Sequence, residues 1–204
     1  MGSTGAVMRA YYNEWDDYDF SAKADAWIVP REVAARTAPH LMRCGRALDA
    51  GCGTGLLGRQ LRKAGYRGEL IGVDVAEKRL SEARHRRFGR GTVYSGVRRA
   101  DLYRLLWREP VFDAVLTSGV LGLIGSRAVD ELFRVLKPGG VFGVSVCYLN
   151  TKRSKLQYIA ILYRLGALVN AGRLKPLSAW DLGTGYEGQK NSEHHDLIVY
   201  RKAA

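Results

Sequence analysis

The chain has 204 residues, of which 47% are apolar, and a formal net charge of +12. That length suits one domain with a full core, and the composition excludes disordered and fibrous classes. No apolar run approaches the ~20 residues that cross a bilayer, and the start MGSTGAVMRAYYNEWDD lacks the basic-then-apolar order of a secretory leader.

Residues 1–45 begin acidic and aromatic and are expected to form a helical cap. Arg46–Ala50 (RALDA) reads as the first strand. A helix over 54–64 follows, with Leu57, Leu61 and Ala64 on one stripe and Gly65 as its stop. Residues 70–73 read as the second strand, 77–88 as a charged surface helix, 93–100 as a weaker third strand and 111–117 as the fourth. Ser126 is placed to cap the next helix. There Val129, Leu132, Phe133 and Leu136 form one stripe, and Pro138-Gly139-Gly140 is read as the end. Residues 141–147 read as the fifth strand, 156–169 as a helix apolar nearly all round, and 197–200 as a short last strand. Short apolar runs alternating with helical patterns mark βαβ units and a mostly parallel sheet. The whole is read as one domain: cap 1–45, core 46–147 and substrate side 148–204.

The central motif is Asp49-Ala50-Gly51-Cys52-Gly53-Thr54-Gly55, between a strand and a helix. Glycines there let backbone approach a ligand and take unusual dihedrals. The helix N-terminus behind them offers amides and a partial positive charge, suited to a carboxylate. Asp74 ends the second strand about 20 residues on, where a carboxylate can accept ribose hydroxyls. Asp101 ends the third, with Leu102 beside it, and can accept from an adenine amino group. Helix capping is the competing role for Asp74 and Asp101. For Asp49, hydrogen bonding to loop amides competes evenly with ligand contact.

The runs ALDAGCGTGLLGRQL, GVDVAEKRL, RADL, FDAVLTSGVLG and ELFRVLKPGGVFGVSV resemble, in order and spacing, the motifs of class I S-adenosylmethionine-dependent methyltransferases. Within that superfamily, 113–122 and 150–156 resemble the Williams–Beuren-region methyltransferase-like group. The resemblance implies a Rossmann-like αβα sandwich with a mostly parallel seven-stranded sheet and an antiparallel last strand. It implies S-adenosyl-L-methionine as cofactor. Gly51, Gly53 and Gly55 would line its methionine end, Asp74 its ribose, and Asp101 with Leu102 its adenine. Asp49, Ala50, Cys52, Val75 and Ser118 complete the expected set. Tyr11, Tyr12, Trp15 and Tyr18 resemble the aromatic lid of such enzymes; packing on the sheet edge explains them equally. Two features depart from the family. Thr117-Ser118-Gly119 stands where a histidine is frequent, and there is no Asn-Pro-Pro-Tyr.

Methyl transfer needs alignment and exclusion of water, so a dedicated base is optional. His195 and His194 are the base candidates. Adjacent strand residues point to opposite faces, so at most one can face a pocket. A nicotinamide-dependent dehydrogenase is the weaker rival. It rests on Gly53 to Gly58 and on Tyr148 with Lys152, but the serine and helix that such a pair requires are missing.

A small-molecule acceptor is expected, because no recognition domain is appended. The basic balance keeps nucleic acid or an anionic membrane as alternatives; codon bias toward arginine explains it as well. A non-catalytic cofactor-binding subunit is a further alternative. Segment 156–169 is a candidate lid or a membrane-surface helix. No metal is expected. Cys44, Cys52 and Cys147 are odd in number and widely spaced, which suits a reducing cytoplasm rather than a disulfide or zinc scaffold.

Overall fold

The computed structural model describes residues 27–185 and 193–204. Strand β1 (Arg46–Ala50) lies between β2 (Glu69–Asp74) and β6 (Phe112–Thr117), parallel to both. Outside β2 lies β5 (Gly96–Arg99), and outside β6 lies β7 (Leu136–Leu149), both parallel. Strand β9 (Glu193–Lys202) adds to β7 antiparallel, and β8 (Leu174–Asp181) pairs antiparallel with β9 at the edge. The order is β5-β2-β1-β6-β7-β9-β8. Strand order therefore reverses between β1 and β6, and the crevice at such a switch is where open α/β sheets bind ligands.

Helices cover both faces. On one side α1 (Val29–Leu41), α2 (Leu56–Lys63) and α3 (Glu77–His85) bury Val33, Leu61 and Leu80 against Ala47 and Leu70. On the other, α5 (Arg127–Val135) and α6 (Lys152–Asn170) bury Leu132 and Leu165 against Val115 and Phe142. A short α4 (Leu121–Ile124) joins β6 to α5. The strands are apolar on both faces because both are covered. The expected sandwich is the observed one, with β9 as its antiparallel last strand.

Several boundaries differ from expectation. The helix over 77–88 stops at His85. Arg86 is extended, and Arg87–Phe88 (β3) turns back on Gly91–Thr92 (β4) through Gly89 at φ 58°. The third strand begins only at Gly96; Val93 and Ser95 hydrogen-bond to Arg86 and Leu70 outside the ladder. Ser126 does not cap α5 with its side chain. Its backbone is already helical, and Ala128 and Val129 donate to the Gly125 and Ser126 carbonyls. Helix α5 ends at Val135, before Pro138, because Leu136 pairs with Phe112 and starts β7.

Candidate active site

The backbone after β1 makes the site. Gly51 and Cys52 both donate to the Val73 carbonyl, at 2.8 and 2.9 Å, which ties the loop to β2. Gly51 has φ 76°, and a Cβ there would meet Val120 at 2.8 Å. Gly53 has φ 52° and open space where a Cβ would stand. Gly55 also has positive φ, but its neighbours are Tyr94 and Arg86, so it packs the loop rather than lining a cavity.

A cleft opens above this loop. Its floor is Gly51 and Gly53, and its rim includes Asp74, Val75, Asp101, Leu102 and Ser118. The opposite wall is Val120, Leu123 and Ile124 around α4, with Gly119 and Tyr103 beside it. The Tyr103 hydroxyl donates to the Ile124 carbonyl and closes that wall. A smaller cavity shares Gly51, Gly53 and Ser118 with the cleft and reaches Asp49, Cys52 and Trp27.

Asp74 holds the loop and its own helix together. Its Oδ2 accepts from Gly53 at 3.0 Å and its Oδ1 from Ala76 at 2.9 Å. Burial pushes this carboxyl up, against those amides and the nearby Arg79. Each carboxylate oxygen has a second lone pair, so capping leaves room for ribose hydroxyls. Asp101 Oδ1 accepts from Tyr103 at 2.9 Å in a turn, with no helix there to cap.

Asp49 lies beneath the loop, almost fully buried. The Tyr94 hydroxyl donates to its Oδ2 at 2.6 Å. Burial pushes its pKa up to about 7, with the tyrosine bond pulling the other way. The Cys52 thiol is pushed up by the same burial and by the two nearby carboxylates. Ala50 is wholly buried in the core below the loop.

The histidines point to opposite faces of β9, as adjacent strand residues must. His195 is buried edge-on to Trp27, with ring centroids 5.5 Å apart and Nε2 3.3 Å from Glu193. It lines neither cavity, although Trp27 lines the smaller one. His194 stacks on Tyr148 at 5.2 Å on the α6 side, with Nε2 3.1 Å from Asp196. Asp181, His194 and Asp196 bring three potential metal-ligating atoms within 4.8 Å. Tyr158 and His194 already engage Asp196. Tyr11 and Trp15 lie outside the described residues.

Sequence reasoning missed Arg79, Tyr94, Trp27 and the α4 wall. Arg79 sits in a helix of surface composition yet is only 2% exposed, paired with Glu82 at 3.0 Å on the cleft margin. No spacing rule flags one buried arginine among exposed ones.

The donor set fits an adenosyl sulfonium with a free amino-acid end. There is a side-chain-free floor, a carboxylate at the end of β2 and another two residues beyond β5, and an apolar wall. A methyltransferase domain family model matches residues 48–144. Human methyltransferase-like protein 27 is 32% identical over 184 residues, covering 83% of this chain and 69% of its own. Malonyl-[acyl-carrier protein] O-methyltransferase of Enterobacter lignolyticus is 34% identical over 130 residues, but the chain spans only 49% of that protein. The crystal structure of magnesium protoporphyrin IX methyltransferase from Synechocystis, with S-adenosylmethionine bound, shares the fold. It matches 100% of this chain and 99% of its own at TM-score 0.73 and 16% identity. The cofactor is S-adenosyl-L-methionine, and the chain belongs to the class I S-adenosylmethionine-dependent methyltransferases.

Proposed function

We propose that the chain transfers a methyl group to an O, N or C nucleophile of a small molecule. The observation that carries this reading is the lining of the cleft, a side-chain-free floor with two carboxylates and an apolar wall. The glycine loop and the Val120–Ile124 wall line it with apolar surface and a few placed polar groups, the make-up of small-molecule sites. When bound, the cofactor supplies a methyl group on a good, neutral leaving group. The protein then has to hold the adenosyl part, aim the nucleophile in line and exclude water. Gly51 and Gly53 keep the floor free of side chains, so the backbone can lie close to the methionine end. Asp74 takes the ribose, with Val75 beside it. Asp101 and Leu102 take the adenine, and Ser118 borders both cavities.

His195 serves this chemistry through Trp27, which it contacts edge-on. His194, on the other face, lies toward the α6 side of the substrate half. The similar proteins carry different acceptors in their names, a malonyl-[acyl-carrier protein] in one case and a magnesium protoporphyrin in another. The acceptor is therefore a matter of local walls rather than of fold. Kinship with the Williams–Beuren-region group is part of this proposal, supported by the likeness to the human methyltransferase-like protein. A reducing, cytoplasmic setting is supported by the three unbridged cysteines.

Nucleic acid or anionic phospholipid is the second acceptor reading, favoured by the +12 charge. A non-catalytic cofactor-binding subunit is the third. Production of S-adenosylhomocysteine against panels of small molecules, RNA and lipid separates them. Turnover with small acceptors that is insensitive to salt supports the first reading. Turnover only on nucleic acid, falling steeply with salt, overturns it.

A further inference from the structure

We infer that the outward face of α6 docks on an anionic bilayer. The helix carries two apolar stripes. Ile161, Leu165 and Leu168 face the sheet and are buried. Half a turn away, Leu156, Ile159 and Tyr163 stand 57%, 59% and 79% exposed. Their spacing of three and four residues puts them on one line about 11 Å long. Exposed large apolar side chains in a row mark an interaction surface rather than ordinary solvated surface.

The charge on this helix identifies the partner. Its 19 residues contain no acid. Lys152, Arg153 and Lys155 are exposed at its start, with the Lys155 ammonium 5.8 Å from the Tyr148 ring. Arg164 is held by Asp130 at 2.6 Å. A crest of Leu, Ile and Tyr flanked by cations is the pattern of an interfacial helix on anionic lipid. A nucleic acid would set phosphates against the apolar crest. A two-fold contact of α6 with α6 would offer the basic turn no counter-charge, since the helix has no acid of its own. No helix among the described residues is long and apolar enough to cross a membrane, so the contact is peripheral.

The placement has a consequence for the cleft. The Gln157 amide donates to the Leu123 carbonyl at 3.4 Å, and Leu123 lines the cleft wall. Docking of α6 therefore sets that wall one helix from the lipid surface, where membrane-dissolved acceptors are concentrated. The docking itself does not depend on methyl transfer and is tested without cofactor.

The experiment is flotation of the whole chain with phosphatidylcholine vesicles and with vesicles that also contain phosphatidylglycerol. Partition into the anionic vesicles and little into the neutral ones is expected. Leu156→Ser/Ile159→Ser and Lys152→Glu/Lys155→Glu should each weaken it at least about tenfold. Their unfolding midpoints and S-adenosylhomocysteine affinity should match the parent. Arg90→Glu, in the β3–β4 turn, combined with Arg98→Glu, on edge strand β5, should retain most binding. Equal loss in that control, or unchanged binding in the apolar variant, reduces the effect to non-specific adsorption of a basic protein and overturns the inference. Concentration-dependent dimers dissolved by Leu156→Ser/Ile159→Ser, without vesicle binding, overturn it as well.

Discussion

The Tyr94 hydroxyl and the Asp49 carboxylate form a 2.6 Å hydrogen bond inside the protein, directly beneath the glycine loop. Tyr94 also packs on Gly58 and Gly72, where a Cβ would meet its ring at 2.5 and 3.0 Å. One tyrosine therefore holds α2, β2 and the acid of the loop in register. Tyr94→Phe keeps the ring and deletes the donor. It should lower stability by about 1–3 kcal/mol, the range for a buried acceptor left unmade. Urea unfolding at neutral pH measures this.

The same pair sets a pH dependence. The folded Asp49 titrates at about 7 because of burial, whereas an unfolded aspartate titrates near 4. Between those values the unfolded chain binds fewer protons than the folded one. This residue's contribution therefore favours folding at low pH and is lost as pH rises through about 7. The Asp49→Asn variant should gain stability relative to the parent across that window, by an amount on the order of a few kcal/mol. Parallel unfolding curves at pH 5 and pH 8 check it. An unchanged difference between the two proteins at both pH values contradicts the assignment.

Gly51 and Gly53 separate fold from ligand binding. Gly51→Ala places a methyl group 2.8 Å from Val120 at φ 76° and should destabilise the protein by about 2 kcal/mol or more. Gly53→Ala meets no neighbour, at φ 52°, so it should cost only about 1–2 kcal/mol of strain. Its methyl group would project into the cofactor's space. Thermal melts should therefore rank Gly51→Ala as the less stable, while calorimetry shows Gly53→Ala losing S-adenosylhomocysteine affinity while still folded.

His195→Ala should lower turnover about tenfold and leave S-adenosylhomocysteine affinity nearly unchanged, because misplacing a lining residue misaligns the acceptor. The replacement that keeps a ring distinguishes the causes. If His195 acts as a prop for Trp27, 5.5 Å away, His195→Phe restores single-turnover rates. If His195 carries a proton, it does not.

The fold was legible where local pattern and tertiary context agree. Strands β1, β2, β6 and β7 are apolar on both faces because helices cover both, and their runs stand out in the sequence. The glycine loop was legible because its backbone needs dihedrals that few residues tolerate. Strand β8 went unread. It carries Lys175 and Pro176 and alternates weakly, which an edge strand paired on one side tolerates. Spacing was enough to place Asp74 and Asp101 near the glycine loop, and both line the cleft. Tyr94 and Arg79 were not, since their burial is created by packing between distant segments and leaves no mark in either neighbourhood.

Titration of the purified chain with S-adenosylhomocysteine, in parallel with Asp74→Ala, tests the account most directly. The account predicts one saturable site in the parent. It predicts affinity at least about thirtyfold weaker in the variant, which loses the cleft carboxylate proposed for the ribose and bonded to the Gly53 amide at 3.0 Å. No binding heat in a folded parent, or equal affinity in the two proteins, would contradict it.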